Sequence, residues 1–172
     1  MLNPTSTTPP AESWAEVRAH NQVMRYRRAG SGRSTLLLRP EANAGALWPE
    51  LTVSLRTSFR VIEPVVPRLV SDAAAWLTDF LDGLGLEQVA LVAADELILP
   101  ALELALLDPE RVARLVFVPV DRDGTGRLDL VLASSARGLA APLLVSPRDT
   151  RSGDAVRRVT DFLGGEWVAT PG

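Results

Sequence analysis

The chain has 172 residues, of which 47% are hydrophobic and 23% charged, with a formal net charge of −3. This length and composition predict one globular domain, and the charge gives no case for binding nucleic acid, which a basic stripe would indicate. The absence of cysteine excludes disulfides, thiolate metal sites and cysteine nucleophiles.

The N-terminus is rich in proline, serine and threonine, and it lacks the basic start and apolar stretch of a secretory signal. We therefore predict a disordered tail over 1–13 and a single domain over 14–172. No apolar run approaches the length of about 20 residues that a membrane helix needs. In the absence of a signal and of a membrane span, we expect a cytoplasmic protein. All 18 basic residues are arginine, which, together with the abundance of Ala, Gly, Pro and Val, suggests a GC-rich bacterial genome.

The first half of the domain reads as strands followed by alternating helices and strands. Two antiparallel strands are predicted within 14–28, and a glycine-containing turn leads to a buried strand over Ser34–Leu38. A helix over about 47–55 and a strand at Phe59–Ile62 follow. The arginines near the turn are interpreted as a solvated strand face. They are Arg25, Arg27, Arg28 and Arg33.

The second half continues this alternation. A helix from Ala73 to about Leu84 has one clean apolar face, with Ser71 as its predicted N-cap. The segment 86–118 reads as strand, sharp turn, helix and strand. We then predict a short helix over 128–137, a strand at Pro142–Val145, a helix over 152–164 and a last strand over 166–169. This order favours an α/β fold whose mostly parallel central sheet has helices on both faces.

The sharp turn after the strand at Val89 has the sequence Ala93-Ala94-Asp95-Glu96-Leu97. In its position and flanking sequence it resembles the nucleophile elbow, G-x-S-x-G, of the α/β-hydrolase superfamily. The resemblance covers Val23 to Gly172 and implies a minimal member without a cap domain. Asp95 stands where the reactive serine would be, and Leu97 replaces the second glycine.

The other parts of the hydrolase site are also altered. The segment RPEANAGALW resembles HGFPASSALW, the loop that supplies an oxyanion donor, with Arg39-Pro40 in place of His-Gly and Glu41 at the donor position. Asp149 ends the segment Ser146-Pro147-Arg148-Asp149, which resembles the family segment that ends in the acidic triad member. The sole histidine, His20, lies in the first hairpin, and the chain stops before the place of the catalytic histidine. A conventional serine hydrolase is therefore not expected.

Asp95 has two interpretations. Haloalkane dehalogenases and epoxide hydrolases use an aspartate at this position and form an alkyl-enzyme ester. Alternatively, Asp95 is an N-cap of the following helix, and the lack of glycine after it suggests a relaxed elbow. We expect five carboxylates to gather at the carboxyl edge of the sheet, where one serves as acid and another as base. These are Asp95, Glu96, Glu41, Glu63 and Asp149.

Two functions remain open at this point. The first is a repurposed catalyst or catalytic subunit, in which Asp95, Glu96, Asp149 and Glu41 perform elimination, cyclisation or intramolecular displacement in small-molecule, specialised metabolism. The second is an inactive hydrolase-fold subunit that binds a protein partner or another copy of itself. The acidic turn at 121–126 departs from a calcium loop at two ligand positions. No metal or cofactor is predicted.

Overall fold

A computed structural model describes residues 12–39, 47–67, 72–118, 138–146 and 152–165. Its centre is a seven-stranded sheet with the strand order β1-β2-β4-β3-β5-β6-β7. The β1–β2 and β2–β4 pairs are antiparallel, and the remaining pairs are parallel. The strands are β1 (Ser13–Ala19), β2 (Gln22–Ala29), β3 (Arg33–Leu38), β4 (Phe59–Pro64), β5 (Val89–Ala93), β6 (Val112–Phe117) and β7 (Leu143–Val145).

Within the described ranges, four helices cover the two faces of the sheet. They are α1 (Leu47–Leu55), α2 (Ala73–Gly83), α3 (Ile98–Leu107) and α4 (Ser152–Gly164). A single 3₁₀ turn, Asp95–Leu97, joins β5 to α3. None of the helices in the described ranges is long and apolar enough to cross a membrane. The predicted α/β fold with helices on both faces is confirmed.

Each face of the sheet carries its own hydrophobic core. On one face, side chains of α2 and α3 such as Phe80 and Leu104 pack with Leu91 of β5. On the other face, Trp48 of α1 and Val159 of α4 pack with strand residues. Every residue of β5 is buried, as expected of a parallel strand with helices on both sides. Alternating residues of β5 therefore hold both layers together.

The predicted helix and strand boundaries agree with the observed ones to within one to three residues wherever the structure describes them. The N-cap of α2 differs, because Asp72 and not Ser71 occupies that position, and its Oδ1 accepts from the Ala75 N–H at 2.8 Å. The sequence offers two capping residues side by side, and only the contact to Ala75 distinguishes them. The helix predicted over 128–137 and the strand predicted over 166–169 lie outside the described residues.

Gly30 links β2 to β3 in a conformation that no side chain fits. Its φ is +75°, and a Cβ there would lie 2.2 Å from the Phe59 carbonyl oxygen and 2.4 Å from that of Arg56. We expect Gly30→Ala to lower the free energy of unfolding by about 2 kcal/mol, through strain and overpacking. Urea denaturation measures this. Gly153→Ala, where a Cβ meets nothing within 4 Å, is the control, and an equal loss in both variants would contradict the prediction.

Candidate functional site: the elbow and its cleft

The turn after β5 is held by backbone hydrogen bonds from three sides. Ala94 N–H donates to the Leu38 carbonyl at 3.1 Å, Val118 N–H donates to the Ala93 carbonyl at 2.9 Å, and Leu97 N–H donates to the Ala94 carbonyl at 3.0 Å. Within this frame Asp95 has a φ of 45°, in the left-handed region that non-glycine residues seldom adopt. The chain therefore turns sharply at Asp95.

This geometry corrects two predictions about the elbow. The elbow is not relaxed, because Asp95 keeps a conformation that costs about 1–3 kcal/mol for a residue with a Cβ. Asp95 is also not an N-cap. The N-cap residues of the 3₁₀ turn and of α3 are Ala94 and Leu97, and neither position supplies a side-chain cap. Long-range hydrogen bonds from β3 and from Val118 fix this turn, and local sequence does not reveal them.

The strain at Asp95 has a measurable consequence. Asp95→Gly and Asp95→Ala both remove the carboxylate, but only alanine keeps a Cβ at positive φ. We expect the glycine variant to be the more stable of the two by about 1 kcal/mol. The control position is Glu103, which is exposed in the interior of α3. There we expect Glu103→Ala to be more stable than Glu103→Gly by a similar amount. Alanine being the more stable at both positions in urea denaturation would show that the elbow is unstrained.

An open cleft lies beside the elbow at the carboxyl edge of the sheet, with a volume of about 440 Å³. Glu63 and Pro64 of β4, Arg39 after β3, and Glu96 of the elbow contribute to its wall. Asp95 itself is half-buried and is not among the residues that line it. The cleft is completed by Trp14, Arg27, Leu37, Val65, Val66, Pro67, Ala73, Leu97 and Pro100.

Glu63 is the most enclosed carboxylate of the cleft, with its side chain 10% exposed. Arg27 Nη2 donates to its Oε2, and Thr52 Oγ1 donates to its Oε1 at 2.7 Å. The other terminal nitrogen of Arg27 contacts Glu12 Oε1 at 3.0 Å. A buried carboxylate without such partners would be strongly destabilising. Glu63 is therefore a compensated charge that fixes one wall of the cleft.

Trp14 forms the outer rim of the cleft and is 57% exposed. The guanidinium groups of Arg25 and Arg27 lie over its ring, 5.2 and 5.5 Å from the centroid. These distances suit cation–π contacts. The three side chains share one face of the β1–β2 hairpin, because Trp14 pairs with Arg27 in the strand register. The arginines near the turn were predicted to form a solvated strand face. Arg27 differs, because its side chain is only 26% exposed and pairs with Glu63 in the wall of the cleft.

The structure describes three of the five carboxylates that were predicted to gather at the site. Glu96 and Glu63 line the same cleft, and Asp95 lies directly beside it at the elbow. Glu41 and Asp149 lie outside the described residues, so their part in the site stays a prediction. Within the described ranges, no group of three His, Cys, Asp or Glu side chains could hold a metal.

The histidine is remote from this cleft. His20 lies in the β1–β2 turn, and its Nδ1 is 2.9 Å from Oδ1 of Asp79 on α2. It is six residues along the strand from Trp14, or about 20 Å at the rise of an extended chain. His20 does not line the cleft.

Sequence reasoning missed Arg27 and Trp14 as parts of the site. In the sequence, these two residues are simply a tryptophan and an arginine in neighbouring strands of a predicted hairpin. They face each other in only one of several possible strand registers. The pairing of Arg27 with Glu63 depends on β2 lying antiparallel to β4. No local pattern indicates that neighbour.

Comparison with solved structures identifies the architecture as the α/β-hydrolase fold. A predicted CIB-like hydrolase from Thermoplasma acidophilum has a TM-score of 0.66 at 15% identity, over 89% of this chain and 98% of that one. A haloalkane dehalogenase from Bradyrhizobium elkani has a TM-score of 0.55 at 21% identity, over 64% of this chain and 43% of that one. An epoxide hydrolase from Vigna radiata has a TM-score of 0.56 at 20% identity, over 72% of this chain and 46% of that one.

This chain thus spans under half the length of the dehalogenase and the epoxide hydrolase. No family model matches the sequence, and no curated protein matches it either. At these identities the similarity defines the fold, and the fold alone does not define an activity.

Proposed function

We propose that this protein is a non-hydrolytic catalyst that uses Asp95 as a carboxylate nucleophile on small molecules with an electrophilic saturated carbon. The observation that carries this proposal is the φ of 45° at Asp95. Strain of this kind persists where the surrounding structure imposes it, and it clusters at active sites. Aspartate at the elbow is also the nucleophile of haloalkane dehalogenases and epoxide hydrolases, and proteins with both names share this fold.

The proposed reaction has two displacements. In the first, an Asp95 carboxylate oxygen attacks the saturated carbon, a C–O bond forms, and the leaving group departs with its bonding electrons. In the second, a hydroxyl or amine of the same substrate attacks that carbon and releases the Asp95 carboxylate, which closes a ring. The proton lost by this internal nucleophile passes to a base, a role that exposed Glu96 at the cleft suits.

Ring closure rather than hydrolysis is favoured because this chain has no histidine at the cleft. The hydrolytic route needs a base that activates water against the ester. The sole histidine of the sequence, His20, is paired with Asp79 at the hairpin turn. An ester formed with a substrate that has no internal nucleophile should therefore accumulate.

This accumulation provides the test. The protein is incubated with 1-bromohexane, a neutral electrophile without an internal nucleophile. We expect the intact mass to increase by a single alkyl group, and hydroxylamine, which cleaves esters, to remove it. Continuous release of 1-hexanol would show a hydrolase. A protein that stays unmodified would contradict a nucleophilic Asp95 and support the alternative, an inactive subunit that binds a protein partner.

A further inference from the structure

Arg39 lies next to the elbow because of the strand register. It directly follows β3, whose last residue, Leu38, pairs with Ala93 at the end of β5. The Leu38 carbonyl accepts the Ala94 N–H at 3.1 Å, so the two chains are still hydrogen-bonded where the elbow begins. Neighbouring strands lie about 5 Å apart. The backbone of Arg39 is therefore one strand spacing from the turn that carries Asp95, and Arg39 is one of the residues that line the same cleft.

Among the described residues, the charges of the cleft do not compensate Arg39. Arg27 is engaged by Glu63 and Glu12. Arg39 is half-buried, and no carboxylate of the described residues lies within ion-pair distance of it. Glu96 shares the cleft but is exposed, so water and salt screen its charge. A half-buried guanidinium of this kind suits a planar carboxylate, which it binds with two parallel hydrogen bonds.

The rest of the cleft wall is mainly apolar. Leu37 and Leu97 are buried and line it from the strand and elbow side. Val66, Pro64 and Pro100 line it as well. Apolar walls with a few placed polar groups are the usual composition of sites for small organic ligands. Such a wall accommodates a short hydrocarbon chain attached to the anionic group.

We propose that the cleft binds small aliphatic carboxylates, with the carboxylate on Arg39 and the hydrocarbon chain on the apolar wall. The inference rests on the proposed function only in placing the reacting carbon of such a molecule next to Asp95. The binding itself needs no reaction. It is therefore tested separately, with ligands that cannot react.

The test compares hexanoate with hexanamide, which has the same chain and no charge. Binding to the wild-type protein is followed by the fluorescence of tryptophan, since Trp14 forms the rim of the cleft. Hexanoate should bind at least about tenfold more tightly than hexanamide, as expected of a charge-assisted pair. Arg39→Gln should abolish this preference and leave hexanamide unchanged, and Arg39→Lys should retain part of it. Arg60→Gln, at an exposed position in another hollow, is the matched control.

Equal affinities for the two ligands, no saturable binding of hexanoate, or a preference that survives in Arg39→Gln would each overturn the inference. Asp95→Asn separates the two proposals, because it should still bind hexanoate. If hexanoate binding depends on Arg39 while no adduct forms at Asp95, the reaction fails and the binding site stands. If the adduct forms but hexanoate has no preference, the ligand class is wrong and the nucleophile stands.

Discussion

The Asp95→Asn variant is expected to form the hexyl adduct on the order of a thousandfold more slowly than the wild-type protein. The amide oxygen is a far weaker nucleophile than the carboxylate, while the shape of the side chain is unchanged. Asparagine also tolerates positive φ, so the elbow should keep its conformation. Initial rates of mass increase with 1-bromohexane measure the effect.

Asp154→Asn is the control for nonspecific alkylation. Asp154 is an exposed carboxylate in the first turn of α4, and its loss should leave the labelling rate unchanged. Unfolding midpoints of both variants should stay close to that of the wild-type protein. Equal labelling of Asp95→Asn and the wild type would assign the alkylation to other carboxylates and remove the basis for a nucleophilic elbow.

The second large effect concerns the wall of the cleft. Arg27→Met is expected to lower the free energy of unfolding by about 3 kcal/mol, because it leaves the enclosed Glu63 without its cation. Of the described residues, only Thr52 would then donate a side-chain hydrogen bond to that carboxylate. Arg25→Met is the matched control, since Arg25 lies over the same Trp14 ring but pairs with exposed Glu16. Such surface pairs contribute little, and we expect a change within about 0.5 kcal/mol.

A double variant distinguishes a lost ion pair from lost packing. Arg27→Met combined with Glu63→Leu removes both charges and keeps similar volumes, so it should recover stability to within about 1 kcal/mol of the wild type. Urea denaturation of the wild type, Arg27→Met, Glu63→Leu and the double variant gives the coupling free energy. If the double variant is as unstable as Arg27→Met, packing of the arginine stem accounts for the loss and the charge of Glu63 does not.

The fold could be predicted largely from sequence because its signals are local. The apolar run at Val89–Ala93 is buried on both faces, and the 3.6-residue periodicity after Ile98 gives the inner face of α3. The elbow could be located for the same reason, since it is the short link between these two patterns. Its conformation could not be predicted. The hydrogen bonds that fix it join the turn to distant parts of the chain, since Ala94 N–H donates to the Leu38 carbonyl and Val118 N–H donates to the Ala93 carbonyl.

The chemistry of the site depended still more on tertiary structure. Five acidic residues were expected to crowd one edge of the sheet, yet Glu63 is neutralised by Arg27, its direct partner across β2 and β4. A register shift of one residue would turn these two side chains to opposite faces. Sequence alone does not determine that register. Composition identified the charged residues. Strand pairing determines that Glu63 has an arginine partner, whereas Arg39 has no carboxylate partner among the residues that the structure describes.

Locating the alkyl group on the labelled wild-type protein tests the central claim most directly. Cleavage at arginine releases a peptide from Leu69 to Arg111 that contains Asp95 and Glu96 together with other carboxylates. Fragmentation of this peptide by tandem mass spectrometry assigns the modified residue. We expect one hydroxylamine-sensitive alkyl ester, on Asp95. An alkyl group on Glu96 or spread over several carboxylates would contradict the claim that the strained elbow presents Asp95 as a nucleophile.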